Sequence, residues 1–381
     1  MEPTEKIWLS SPHMSGEEMK YIEEAFRNNH VFPLGPNVTG LENDIMQFTG
    51  AKACTCLASG TSAIHLALIL LGVGSEDEVF CSTFTFSASA NPIVYQGATP
   101  VFIDSEPTTW NMSPELLEKA LAERKPSGKM PKAIILVHLY GMPARIDEIM
   151  EIARRYQVPV IEDAAESLGS TFDGQATGTF GEMGILSFNG NKIITTSGGG
   201  ALISNKADYC RKALFLATQA RDAAPHYQHS HIGYNYRMSN ICAGIGRGQM
   251  EVIAQRVAKR RENFEFYREN LGTVEGISFQ TAPDDRFFSN YWLTAITIDP
   301  DLTLGVNREK IYNALNELDI ETRPLWKPMH LQPIFEKFPA YLNGTSNRLF
   351  DLGLCLPSSS NITEAERQKV VEAITETIQR G

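Results

Sequence analysis

No stretch of this sequence is long and apolar enough to cross a bilayer. The longest apolar run, Ala63–Val73, contains His65 and falls well short of the roughly 20 residues a spanning helix needs. Met1–Ser10 lacks the basic-then-apolar layout of a signal peptide, so a cytoplasmic protein is expected. Runs of Lys and Arg are missing too: 34 basic residues stand against 45 acidic ones, for a net charge of −11. Binding to phosphate backbones or anionic lipid surfaces needs clustered cations, so neither nucleic acid nor membrane is an expected partner. Small anionic substrates stay open, because a cationic pocket can sit inside an acidic protein. Cysteine is sparse, six in 381 residues, with no CxxC pair to hold zinc. Cys54 and Cys56 share one face of a predicted strand but sit too far apart along it to bridge easily, so free thiols are expected. His226, His229 and His231 are close in sequence but have no nearby carboxylate-rich partner, so no metal site is expected.

What is present is an ordinary globular composition, 43% hydrophobic and 21% charged, over a length that suits a large domain and a smaller one. Strand-like and helix-like segments alternate between about residues 50 and 205. The predicted strands are Ala53–Leu57, Val79–Ser82, Pro100–Ile103, Ala133–His138, Val158–Glu162, Ile185–Phe188 and Ala201–Ser204. Helices are predicted at Ser62–Leu71, at Ser87–Tyr95 (weakened by Pro92), at Glu115–Ala122 and at Ile146–Tyr156. Such alternation means crossover connections and an α/β fold with a mostly parallel sheet. A long charged helix near Met250–Asn270 reads as a bridge. Beyond it Tyr291–Ile298 reads as a strand, and Arg308–Leu318 and Glu364–Ile378 as helices. The expected division is a large domain over 1–248, its N-terminal segment free to pack on the other, and a bridging helix with a smaller α+β domain over 249–381.

In parallel sheets ligands gather at the carboxyl ends of strands. Lys192 follows the predicted strand Ile185–Phe188 and precedes Thr195-Thr196-Ser197-Gly198-Gly199-Gly200, small residues that let a planar ligand approach. A lysine there can form an imine with a carbonyl cofactor, although alone it reads as a surface lysine. Asp163 ends the strand Val158–Glu162, where an acid can keep a pyridine nitrogen protonated; alone it reads as a helix cap. Glu162 should point to the opposite face. Ala58-Ser59-Gly60-Thr61-Ser62 joins a strand to a helix and offers backbone N–H groups and hydroxyls to a phosphate, with Ser187 as a further hydroxyl. Phe86, just past a strand end, could stack on a ring or simply fill the core.

Taken in order, these segments resemble the DegT/DnrJ/EryC1/StrS family of sugar aminotransferases. The resemblance runs from Gly35–Glu42 through Ser59–Ser62, Glu162–Glu166 and Ser187–Gly200 to Gly233–Ser239. It implies the aspartate aminotransferase-like fold (fold type I) and a pyridoxal 5'-phosphate cofactor held by the larger domain as a Schiff base on Lys192. It also implies that Asp163 pairs with the ring nitrogen, that Phe86 stacks on the ring and that Gly60, Thr61, Ser62 and Ser187 bind the phosphate. Asn235 would reach that phosphate from a second subunit, giving a homodimer with shared sites. Glu166 stands where the family often has Gln or His, near the ring hydroxyl, and Ser197-Gly198-Gly199-Gly200 where it often has Gly-Glu-Gly-Gly. Both departures resemble the subgroup that aminates UDP-4-keto-6-deoxy-N-acetylglucosamine on the route to bacillosamine. Asn189–Ile194 and Arg323–His330 resemble that subgroup as well.

The implied reaction moves an amino group from L-glutamate to C4 of a nucleotide-linked keto sugar. Arg237, Lys327 and His330 are candidates for the anionic donor or the sugar diphosphate; an ion pair for Arg237 and a solvated loop for the others remain open. Other readings are an aminotransferase for a GDP- or dTDP-linked keto sugar, a pyridoxamine-phosphate-dependent sugar dehydratase, and a ligand-binding regulator. Dehydratases of this kind typically carry histidine where Lys192 stands, and no DNA-binding module is appended.

Overall fold

The computed structural model describes residues 6–381; Met1–Glu5, half of the segment read above for a signal sequence, lie outside the described residues. The core is an eight-stranded sheet. Its main strands are β1 (Ala53–Leu57), β2 (Glu78–Ser82), β3 (Thr99–Ile103), β4 (Ala133–Val137), β5 (Val160–Asp163), β6 (Met183–Ser187) and β7 (Gly200–Ser204). They run in the order β1-β7-β6-β5-β4-β2-β3, and Ala340–Tyr341 closes the far edge. Every pairing is parallel except those of β7, which runs against both β1 and β6. The mostly parallel mixed sheet expected from the sequence is present.

The burial pattern explains the arrangement. Strand β4, Ala-Ile-Ile-Leu-Val, is buried along its whole length, as parallel strands covered on both faces are. Helix Gly60–Leu70 is apolar nearly all round and buried at Gly60 and Ser62–Leu68, so it lies within the core rather than on it. The predicted helix Ser87–Tyr95 divides into a turn, Ser87–Ser89, and a helix, Asn91–Tyr95, with Pro92 in the first turn where its missing N–H is tolerated. Strand β5 starts at Val160 rather than Val158 because Pro159 cannot donate to the ladder. The predicted strand Tyr291–Ile298 starts only at Thr294, because Tyr291 has φ 45° and turns the chain there.

A second, antiparallel sheet of four strands runs Ile277–Phe279, Thr294–Ile298, Gly353–Leu356, Arg323–Pro324. Ile296 and Leu354 pack there against Ile311 of helix Arg308–Glu317 and against Val370 and Ile374 of helix Glu364–Arg380. Helix Ile253–Leu271 leads into this layer, and Ile7 bridges to Ile320. All six cysteines are free. Among the described residues, no helix is long and apolar enough to cross a membrane, and no group of three metal-binding side chains occurs.

Candidate active site

Because β7 is the one reversed strand, the carboxyl ends of β1, β2, β4, β5 and β6 all open at the same edge of the larger sheet. The loops leaving that edge enclose a cavity of about 280 Å³. Asp163, the last residue of β5, and Lys192, in the loop after β6, both line it.

Asp163 is buried, 6% exposed. Its carboxylate accepts hydrogen bonds from Ser89 Oγ at 2.6 Å and from Ala165 N at 3.1 Å, and Thr85 Oγ1 lies 2.7 Å behind Ser89 Oγ. Glu162, one residue earlier, faces away as strand alternation requires. It accepts from the backbone N–H groups of Gly178, Phe180 and Gly181 and lies 3.0 Å from His138 Nε2.

Lys192 Nζ lies 3.6 Å from Glu166 Oε1 and 4.0 Å from the centroid of the Trp292 ring. The other Glu166 oxygen accepts from Tyr140 N at 2.7 Å. Burial pushes the Glu166 carboxyl up, while the Lys192 charge and the Tyr140 N–H pull it back.

The segment expected to cup a phosphate, Ser59–Ser62, lies at the start of helix Gly60–Leu70. Ser59 and Ser62 form a capping box, Ser59 Oγ accepting from Ser62 N and Ser62 Oγ from Ser59 N, each at 3.0 Å. The first N–H groups of a helix have no partner within it. With Ser59 and Ser62 engaged, those of Gly60 and Thr61 are left at the cavity wall, where the helix dipole favours an anion. Ser187 borders the same wall; a Cβ on Gly60 would lie 3.2 Å from Ser187 Cβ, and one on Gly200 only 2.4 Å from Gly60 N. Glycine is required for that approach.

Phe86, half exposed, lines the cavity and sits 5.4 Å, centroid to centroid, from Trp326. Trp326 also borders the cavity, and its Nε1 is buried without a hydrogen-bond partner. Trp292, Trp326 and Tyr140 form a stacked aromatic wall. A second cavity of about 320 Å³ lies across it, lined in part by Glu321 and Arg323. Spacing in the sequence reveals none of this wall, since isolated tryptophans carry no such signal; Trp326 alone falls in a segment singled out by resemblance, Arg323–His330.

The structure thus brings together Gly60, Thr61, Phe86, Asp163, Glu166, Ser187 and Lys192. Ser62 turns its hydroxyl back to the cap, donating to Ser59 O at 2.8 Å. Asn235 is exposed, held by Gln219 Nε2 at 3.2 Å, away from the cavity of its own chain. Arg237 pairs with Glu42 and donates to Cys56 O at 3.1 Å, and its side chain is only 7% exposed. Lys327 is exposed and off the wall. His330 is fixed between Thr83 Oγ1 at 2.7 Å and Asn347 Oδ1 at 2.8 Å rather than solvated, and burial lowers its pKa.

The residues present fit pyridoxal phosphate: an amine for its carbonyl, a buried carboxylate for its ring nitrogen, and a helix start for its phosphate. Fold and site together define a pyridoxal-phosphate-dependent enzyme of fold type I. Residues 12–375 match the DegT/DnrJ/EryC1/StrS aminotransferase family. The chain is 54% identical to EpsN of Bacillus subtilis (strain 168), over 97% of this chain and 95% of that protein. It is 34% identical to the GDP-perosamine synthase of Escherichia coli O157:H7, over 97% of this chain and 98% of that one. Among solved structures, a DegT DnrJ EryC1 StrS aminotransferase from Brucella abortus superposes with a TM-score of 0.88 at 28% identity, over 95% of each chain. The chain belongs to the DegT/DnrJ/EryC1/StrS family, pyridoxal-phosphate-dependent aminotransferases of nucleotide-linked sugars.

Proposed function

We propose that the protein transfers the amino group of L-glutamate to C4 of UDP-4-keto-6-deoxy-N-acetylglucosamine, for bacterial glycan synthesis. The observation that carries the chemistry is one cavity lined by the Lys192 amine, the Asp163 carboxylate and the helix start at Gly60–Thr61. Bound pyridoxal phosphate supplies an electron sink for the carbanion at the amino acid's α-carbon. Lys192 both anchors the cofactor and moves protons, taking one from the donor's α-carbon and later returning one to C4 of the sugar. Asp163, fixed by Ser89, holds the proton on the ring nitrogen. Gly60, Thr61 and Ser187 would hold the phosphate, Phe86 would pack on the ring, and Glu166 would lie near its hydroxyl.

For the sugar, the support is the likeness of Asn189–Ile194, Arg323–His330 and Glu166 to the subgroup that uses this UDP sugar. Asn191, Arg323, Pro324 and Trp326 of those segments border the second cavity, where a sugar nucleotide can extend. A GDP-linked substrate is the second reading, favoured by the likeness to GDP-perosamine synthase. The deciding experiment offers UDP-, GDP- and dTDP-linked 4-keto-6-deoxy sugars with L-glutamate and identifies products by mass and NMR. We expect kcat/KM for the UDP-N-acetyl sugar to exceed the others by about 100-fold or more; a preference for the GDP sugar would reverse the assignment.

The working unit in this reading is a homodimer. Asn235 sits in a segment with Tyr227 80% and Ile232 82% exposed, apolar side chains free to pack on a second copy. That copy's Asn235 would complete the phosphate cup. Asn235→Ala should weaken pyridoxamine phosphate binding about 10-fold, the loss of a hydrogen bond to a charged group, in a protein that still elutes as a dimer. Unchanged affinity would remove Asn235 from the site.

A further inference from the structure

The peptide carbonyl before Lys192 is held by donors from distant parts of the chain. Ser10 Oγ donates to Asn191 O at 2.6 Å, and Trp292 Nε1 donates to the same oxygen at 2.7 Å. A carbonyl oxygen offers two lone pairs, so both are occupied. Behind these donors lies Arg260, on helix Ile253–Leu271 and 1% exposed. Its guanidinium donates to Trp292 O at 2.6 Å and to Ser10 Oγ at 2.9 Å, which ties the two donors to each other.

A buried guanidinium is a costly way to hold a fold together: burial, with Arg256 beside it, holds the Arg260 pKa down to about 9. The cost is offset only by hydrogen bonds, and Arg260 directs two of them at the groups that carry the Asn191 donors. Close to Lys192, the loop it serves has few other hydrogen bonds to fix it. Gly190 and Gly198 lie on either side of Lys192 with open space around them, and Lys192 N–H closes only a turn onto Asn189 O at 3.0 Å. Trp292 also meets the lysine a second time, through the ring face 4.0 Å from Nζ.

We propose that Ser10 and Trp292, tethered by Arg260, are positioning residues that fix the peptide plane of Asn191–Lys192 and so set the reach of the lysine amine. The inference rests on Lys192 as the attachment point. A carbon–nitrogen bond forms only when the amine stands close to the carbonyl and on its axis of approach. Misplacement by about 1 Å can slow such a step on the order of 100-fold.

The test uses the full chain freed of cofactor, with Trp292→Phe, which keeps a ring but loses the donor, with Ser10→Ala, and with both. One readout is the rate at which pyridoxal phosphate becomes trapped on Lys192 by borohydride, followed by mass. The other is the Kd of pyridoxamine phosphate, which cannot form that bond and reports on the rest of the site. Each single variant is expected to attach the cofactor about 10-fold more slowly and the double variant about 100-fold, with the Kd within about 2-fold of the unaltered chain. Attachment at the unaltered rate in both single variants overturns the proposal. So does a matching loss of attachment and of pyridoxamine phosphate affinity, since that marks a role in folding alone. No trapped product at Lys192 in the unaltered chain would instead overturn the reading of the site itself.

Discussion

Lys192→Ala is expected to lower turnover by about 10⁴-fold or more, because in the proposed mechanism one amine serves as both covalent anchor and proton carrier. The side chain is 13% exposed and touches the Trp292 ring and Glu166, so its loss leaves the fold intact. Pyridoxamine phosphate should still bind, since the cup at Gly60–Thr61 does not involve the lysine. Borohydride should trap no cofactor. A variant that kept more than about a hundredth of the activity would remove Lys192 from the chemistry. A second consequence concerns Glu166. Burial raises its carboxyl pKa and the Lys192 charge opposes the rise, so removing the amine lets it rise further. A folded-state pKa raised above the unfolded value stabilises fully below the unfolded value and fades as pH climbs through the folded one. The Tm of Lys192→Ala relative to the unaltered chain should therefore shift in the variant's favour as pH falls.

The sequence made this lysine visible because strand ends are local features. Once alternation announces a parallel sheet, the residues just past each strand must share one edge, and Asp163, Ser187 and Ser59–Ser62 fall there without further information. Period-two alternation also separated Asp163 from Glu162, whose carboxylate serves Gly178, Phe180 and Gly181 on the other face. What stayed hidden depends on partners far away in the chain. Helix Pro36–Thr49 opens on Pro-Asn-Val-Thr-Gly, a poor helical sequence, and gains its stability from packing on helix Asn240–Met250. There Gly246 approaches Leu41 so closely that a Cβ would meet its side chain at 2.7 Å. Trp292 lies just before strand Thr294–Ile298 and Trp326 just after Arg323–Pro324, and no spacing within their own segments predicts that both line the cavity. His330 is similar: its proline-rich surroundings suggest a solvated loop, yet its partners Thr83 and Asn347 lie elsewhere in the chain.

Asp163→Asn should lower kcat by on the order of 10³-fold while leaving the cofactor attached to Lys192. The two halves of that result follow from different atoms. Attachment needs the amine, which the substitution does not touch. Proton removal from the donor's α-carbon would be easier with the ring nitrogen protonated, because the bound cofactor would then be the better electron sink. An asparagine fills the same volume and can keep the Ser89 hydrogen bond, but it has no negative charge to hold that proton. Asp163 is buried beside Ser89 and Thr85, so water screens its charge less than it would at the surface. Ser89→Ala gives the graded control: it loosens the carboxylate without removing it, and a loss of about 10-fold or somewhat more is expected, the value of one hydrogen bond to a charged group. The measurements are the single-turnover rate of L-glutamate's α-proton exchange with solvent and the borohydride-trapped mass. If Asp163→Asn exchanged that proton at the unaltered rate, the ring nitrogen would not be the seat of Asp163's action.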